Sequence, residues 1–240
     1  MVSSNKVSSN IKGRYDRNFN TLTREEQTKL GNSKVVVIGL GGLGGGVCEM
    51  LARVGVGHLT LIDGDSFEVS NLNRQLLSEE HLIGIPKAEA AKARVNAVNS
   101  EVIVTHRVEY VDESNLYETI KESDVVMDCL DSIDTRFKLQ DAAKKASVPI
   151  VSGAIAGVAG QITTIFPEDM GYELIYGKKS REQSKGVELR TGNMAYCALF
   201  VAALQSSECV KILLDRGDLL RNKLLIAELW TNTFEVMELV

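Results

Sequence analysis

The chain has 240 residues, 44% hydrophobic and 25% charged, a composition that excludes a wholly disordered protein and suits one globular domain with a real core. A net charge of −5 argues against a sequence-blind nucleic-acid binder working through a basic surface. The four cysteines, Cys48, Cys129, Cys197 and Cys209, form no C-x-x-C pair and have no histidine at metal-ligand spacing, so they read as reduced, mostly buried thiols of a cytoplasmic protein.

Residues 1–10 are polar and Ser/Asn-rich and read as a disordered tail, without the apolar stretch of a signal peptide. Thr23-Arg24-Glu25-Glu26 has the form of a capping box opening a short helix. Lys34 to Ile38 is a β-branched run of the kind buried on both faces of a parallel sheet, and it empties into the glycine cluster Gly39 to Gly46. Val47 to Val54 has helical apolar spacing and is stopped by Gly55 and Gly57; His58 to Asp63 is the next strand, completing a βαβ unit. The alternation continues with a helix over Lys87–Val98, a strand over Glu101–Val108, a short helix at Leu116–Glu122, a strand at Asp124–Cys129, a helix over Asp134–Ala146 and a strand at Pro149–Ser152.

Residues 34–153 therefore predict a Rossmann-like, doubly wound α/β core with a mainly parallel sheet. Gln161–Phe166 is β-rich, whereas 167–190 is polar and aperiodic, with Lys178, Lys179, Arg181, Lys185 and Arg190, and reads as a flexible crossover loop. Met194–Leu214 predicts a long apolar helix. Its uninterrupted apolar run, Met194–Leu204, is too short for a bilayer and reads as buried in protein. The strand-like runs Lys223–Leu229 and Thr233–Leu239, joined by Trp230-Thr231-Asn232, predict a hairpin that extends the sheet antiparallel. The expectation is one domain over residues 11–240, its last part the helix and hairpin of 193–240.

Gly39-x-Gly41-x-x-Gly44, placed after a strand and before a helix, is a nucleotide-binding arrangement: its glycines allow a tight turn, close approach of a phosphate and seating of the helix. Asp63, at the end of the second strand, is placed to accept hydrogen bonds from a ribose. These two features alone would also suit an NAD(P)-dependent oxidoreductase. Cleavage of ATP to pyrophosphate further asks for cations at the phosphates and an acid for Mg²⁺, and Arg74, Lys87 and Asp131 supply such groups. Taken singly, Asp131 also reads as a helix cap before Ile133, and Arg74 or Lys87 as solvated surface charges.

From Arg14-Tyr15-Asp16-Arg17 onward the motifs resemble the ubiquitin-activating-enzyme-like adenylyltransferases, the ThiF/MoeB/HesA family. The resemblance runs through Gly39-Leu40-Gly41-Gly42-Leu43-Gly44, Leu61-Ile62-Asp63-Gly64-Asp65, Ser70-Asn71-Leu72-Asn73-Arg74-Gln75, Gly84-Ile85-Pro86-Lys87, Asp128-Cys129-Leu130-Asp131 and Pro149 to Gly153. It implies activation of the C-terminal Gly-Gly carboxylate of a small ubiquitin-like or sulfur-carrier protein as an acyl-adenylate, with ATP and Mg²⁺ consumed and pyrophosphate released. It places Gly39, Gly41 and Gly42 against the nucleotide, with Asp65 and Gln75 in the same set. Asp63 falls on the ribose, Asn71, Arg74 and Lys87 on the phosphates, and Asp131 on Mg²⁺. Arg17 matches an arginine that reaches a homodimeric partner's site. Where many relatives bind zinc through two C-x-x-C pairs, this chain has none, and residues 167–190 hold no cysteine nucleophile. The resemblance thus predicts no zinc and no thioester step, with Cys129 in core packing. A second enzyme reading is a tRNA-modifying dehydratase whose basic loop touches RNA; a third is a binding module that holds nucleotide without chemistry.

Overall fold

The computed structural model describes residues 13–177 and 191–240. The expected tail at 1–10 and the basic residues from Lys178 to Arg190 lie outside these described residues.

Strand β1 (Lys34–Ile38) sits at the centre of an eight-stranded sheet of order β3-β2-β1-β4-β5-β6-β7-β8. Its neighbours β2 (His58–Ile62) and β4 (Val125–Asp128) pair parallel to it, β3 (Ile103–Arg107) pairs with β2, and β5 (Ile150–Ala156) pairs with β4. From β6 (Ala159–Ile165) through β7 (Lys223–Glu228) to β8 (Thr233–Glu238) pairing is antiparallel. The parallel core, antiparallel extension and C-terminal hairpin are as read from the residues.

A strand exposes alternate side chains to opposite faces. Val35 and Val37 accordingly join a core with α2 (Gly44–Val54), α3 (Lys87–Val98) and α7 (Ala195–Leu214). Val36 and Ile38 join a second core with α4 (Leu116–Ile120), α5 (Ile133–Ala146) and α6 (Tyr172–Tyr176). The first core also takes Leu30 of α1 (Arg24–Asn32), which opens on the expected capping box, Thr23 and Glu26 each bonding the other's backbone.

Two expectations need correction. The segment from Pro167 is not aperiodic throughout. Asp169 accepts the backbone N–H of Phe166, and Tyr172–Tyr176 forms α6, with Tyr172 fully buried against Phe137. The last glycines of the cluster are not loop either: Gly44, Gly45 and Gly46 are the buried first turn of α2, which begins three residues earlier than the apolar spacing suggested. A Cβ on Gly44 would stand 1.8 Å from the Gly39 carbonyl oxygen, and one on Gly46 2.8 Å from Ala202 on α7. These two glycines serve close packing.

At 20 residues α7 as a whole is long and apolar enough to cross a bilayer, although its uninterrupted apolar run is not. It nonetheless packs on α2, β4, β5 and β6. Buried Gln205 donates to the carbonyls of Asp128 and Val151, and buried Glu208 accepts from Thr164 and the backbone N–H of Leu220, so its polar side chains are satisfied inside the protein.

Candidate active site

In a doubly wound sheet the order reverses between two strands, and a crevice opens beyond their carboxyl ends. Here the reversal falls between β1 and β4, whose ends meet in register at Ile38 and Asp128. Gly39 follows the first and Asp131 the second. A cavity of about 1320 Å³ opens there, lined by Gly39, Gly41, Gly42, Asp63, Asp65, Asn71, Arg74, Gln75, Lys87 and Asp131. All the expected site residues except Arg17 are thus brought to one place.

The glycines divide by role. Gly39 has φ +85°, and a Cβ there would come within 2.6 Å of the Cys129 carbonyl oxygen, so the turn itself demands it. For Gly41 and Gly42 a Cβ would meet its nearest neighbour at an ordinary 3.5 Å, yet both line the cavity. Their missing side chains leave backbone open to a ligand. Behind them α2 starts at Leu43 with no side-chain cap and no acid in its first turn, so its positive end faces the crevice uncompensated.

Asp63 holds this loop. One carboxylate oxygen accepts the Leu40 N–H at 2.7 Å and the other the Asp65 N–H at 2.8 Å. Burial lifts its carboxyl above the ordinary range, while the Leu40 N–H and the charge of Lys87 pull it back. Lys87 begins α3 and is only 6% exposed, its Nζ 2.9 Å from Asp65 Oδ2; the solvated-charge reading does not hold for it. Asp65 also accepts from Tyr110 at 2.6 Å. Burial would raise its carboxyl, but the Tyr110 and Lys87 bonds outweigh that and hold it low.

Arg74 is half-buried and donates through Nη1 to the Ser70 carbonyl and Asn73 Oδ1. Asn71 is buried, its Oδ1 accepting the Glu68 N–H, so part of its amide shapes the turn. Among the described residues, Gln75 Oε1 and Asn193 Oδ1 are buried side-chain oxygens without a partner, and both residues line the cavity. Asp131 is exposed. The cap of α5 is Ser132, whose hydroxyl accepts the Thr135 N–H, so the helix-cap alternative for Asp131 is replaced.

Arg17 is exposed in a turn that packs at the other end of the sheet. Arg14 donates to the Val98 carbonyl, Tyr15 accepts from Asn99 and covers Gly55, and Asn18 bonds Gln27. These contacts lie past the carboxyl ends of α2 and α3, whose amino ends face the crevice. A helix of that length separates them by roughly 16 Å.

Beneath the cavity lies a charged group that sequence reading missed. Arg136, 3% exposed, stands 3.2 Å from Asp128 Oδ2 and donates to the Leu130 and Gly153 carbonyls and the Ser152 hydroxyl. Tyr172 and Ser152 donate to the same Asp128 oxygen at 2.5 and 2.7 Å. Burial would favour neutral Arg136, but Asp128 more than offsets it and keeps the guanidinium charged. The signal was present, since Arg136 follows Ile133 by three and precedes Phe137 on the buried face of a helix, but its partner is set by tertiary structure. All four thiols are pushed up by burial, Cys129 further by the Asp128 charge; Cys129 is half-buried at the cavity wall, and so not purely a core residue.

The ThiF family profile matches residues 15–240. Over 226 residues the chain is 37% identical to a SAMP-activating enzyme E1 of Haloferax volcanii, covering 93% of this chain and 84% of that protein. It is 34% identical over 216 residues to the molybdopterin-synthase adenylyltransferase of Escherichia coli, covering 89% and 86%. The structure of E. coli MccB with ATP superposes with a TM-score of 0.76 at 26% identity, over 94% of this chain and 71% of that one. The chain belongs to the ThiF family, and its enzyme class is that of the adenylyltransferases.

Proposed function

We propose that this protein activates the C-terminal carboxylate of a small, Gly-Gly-ended ubiquitin-like or sulfur-carrier protein as an acyl-adenylate, at the expense of ATP and with release of pyrophosphate. The observation that carries the reading is the convergence of the open glycine backbone, Lys87, Arg74 and the exposed Asp131 on one crevice. Relatives named for SAMP activation and molybdopterin synthase support the substrate class, and the likeness to MccB with ATP supports the nucleotide.

The residues present fit a nucleotide triphosphate. Gly41 and Gly42 offer backbone to phosphates, the uncapped start of α2 favours negative charge, and the unpartnered Gln75 oxygen waits at the wall. Attack of a carboxylate on the α-phosphorus gathers charge on the phosphate oxygens, which fixed cations stabilise best in a crevice shielded from water. Lys87, held by Asp65, and Arg74, held by Ser70 and Asn73, are such fixed cations. Asp131 would hold Mg²⁺, which neutralises phosphate charge when bound.

We assign no thioester step: residues 167–190 contain no cysteine, and burial pushes the four thiols up, which disfavours the nucleophilic thiolate. Nor do we assign a zinc site, the C-x-x-C pairs being absent. Arg17 is proposed to act in the crevice of a partner copy.

Carrier-stimulated exchange of labelled pyrophosphate into ATP tests the reading. Wild type should exchange, and Asp131→Ala should lose about a hundredfold or more with its melting temperature unchanged, because the carboxylate is exposed. Undiminished exchange in that variant would overturn the assignment.

A further inference from the structure

Tyr110 is an aromatic residue of the cavity that the matched motifs do not include. It is 72% exposed, yet its position is defined at both ends. Its ring lies against Gly64, where an added Cβ would come within 2.7–2.8 Å of the ring's Cγ, Cδ1 and Cδ2. Its hydroxyl donates to Asp65 Oδ1 at 2.6 Å, and the other oxygen of the same carboxylate holds Lys87 Nζ at 2.9 Å. A fixed, largely exposed ring that lines a cavity can serve as a stacking platform, since a planar heterocycle gains there without the cost of ordering the aromatic partner.

Two kinds of lining meet in the cavity. Ile62, Val111 and Leu130, which belong to one apolar cluster, line it beside the Tyr110 segment, and Ser70, Asn73 and Arg74 line it as well. A nucleoside triphosphate asks for both, with an aromatic base and anionic oxygens.

We propose that Tyr110 is the base platform of the crevice and that its hydroxyl, through Asp65, positions Lys87 toward the phosphates. This rests on the reading of the site as an ATP site. Lys87 has three N–H donors and gives one to Asp65, so two are left for phosphate oxygens. Tyr110 thereby joins the two ends of the ligand site: the ring meets the base, and the hydroxyl steadies the carboxylate that aims the cation.

The test compares wild type with Tyr110→Phe, which keeps the ring and loses the hydroxyl, and Tyr110→Leu, which loses both. Dissociation constants are measured by calorimetry for ATP and for inorganic tripolyphosphate, which has the charge but no base, and pyrophosphate exchange gives kcat and KM. Relative to Tyr110→Phe, Tyr110→Leu should bind ATP about fivefold more weakly or worse, with tripolyphosphate unchanged. Relative to wild type, Tyr110→Phe should keep its ATP affinity and lose about threefold to tenfold in kcat. Equal ATP affinity in the two variants, or equal losses for ATP and tripolyphosphate, would overturn the proposal while leaving the ATP site standing. Wild type that binds neither ligand would overturn both.

Discussion

At the residue scale, glycines that look alike in one cluster do different work, and substitution separates them. Gly44→Ala puts a methyl group 1.8 Å from a backbone oxygen and forces α2 away from the turn, so it should cost about 3 kcal/mol in denaturant unfolding. Gly42→Ala meets only ordinary contacts at 3.5 Å, so its stability should stay within about 0.5 kcal/mol of wild type. Gly42 nevertheless lines the cavity, and if its bare backbone receives a phosphate, ATP should bind the variant roughly tenfold more weakly, a loss of about 1.4 kcal/mol by calorimetry. A Gly42→Ala protein that binds ATP as wild type does would mean that the open backbone is not the phosphate cradle. Asp63 shows the limit of reading position alone. Its place at a strand end was legible, but its bond to the Leu40 N–H, which makes it the anchor of the glycine turn, exists only once β1 and β2 are paired.

At the element scale, two charged groups tie elements together, one helix to helix and one helix to strand, and each has a measurable consequence. Glu49 on α2 takes Arg94 of α3 and Arg53 of its own helix. Burial would raise its carboxyl, but the two arginines together lower it below 4.5. A carboxylate with a depressed native value contributes stability above its unfolded value and loses it as pH falls through the native one. Glu49→Gln should therefore cost about 1 kcal/mol at pH 7, because both arginines can return to water. The difference from wild type should shrink as pH drops below 4.5 in acid titrations of urea unfolding. A difference that persists at low pH would mean packing, not charge.

Arg136 of α5 is the opposite case, since both it and Asp128 of β4 are buried. Arg136→Ala leaves a carboxylate with only hydroxyl and backbone donors in the interior and should cost about 3–5 kcal/mol in denaturant unfolding. A loss under 1 kcal/mol would show that Tyr172 and Ser152 alone suffice for Asp128. The strands and long helices around these groups were legible because each carries its own period or β-branched run. Helix α6 was not: five residues cannot show a period, and what orders it is the burial of Tyr172 and its bond to Asp128. Tyr110 announces nothing locally, and Arg136 shows only its place on a buried helix face; both acquire meaning from partners, 45 and 8 positions away.

At the scale of the whole molecule, all ten other expected site residues line one crevice, and Arg17 sits beyond the opposite ends of α2 and α3 from it. An arginine kept exposed at that end can serve the chemistry only in another copy's crevice. Two copies related by a twofold axis would exchange such arginines reciprocally, giving two equivalent sites, each built from both chains. Arg17→Ala and Asp131→Ala should then each abolish pyrophosphate exchange alone, one by removing the reaching cation and the other by removing the acid of the crevice. Mixed in equal amounts and allowed to exchange subunits, half the dimers contain one of each. In these, one site has both substitutions and the other has neither, so roughly a quarter of wild-type activity should return. The recovered activity should follow the fraction of mixed dimer measured by native mass spectrometry. If the two variants recover nothing although mixed dimers form, Arg17 does not act across the interface; if Arg17→Ala is fully active alone, it has no part in the reaction.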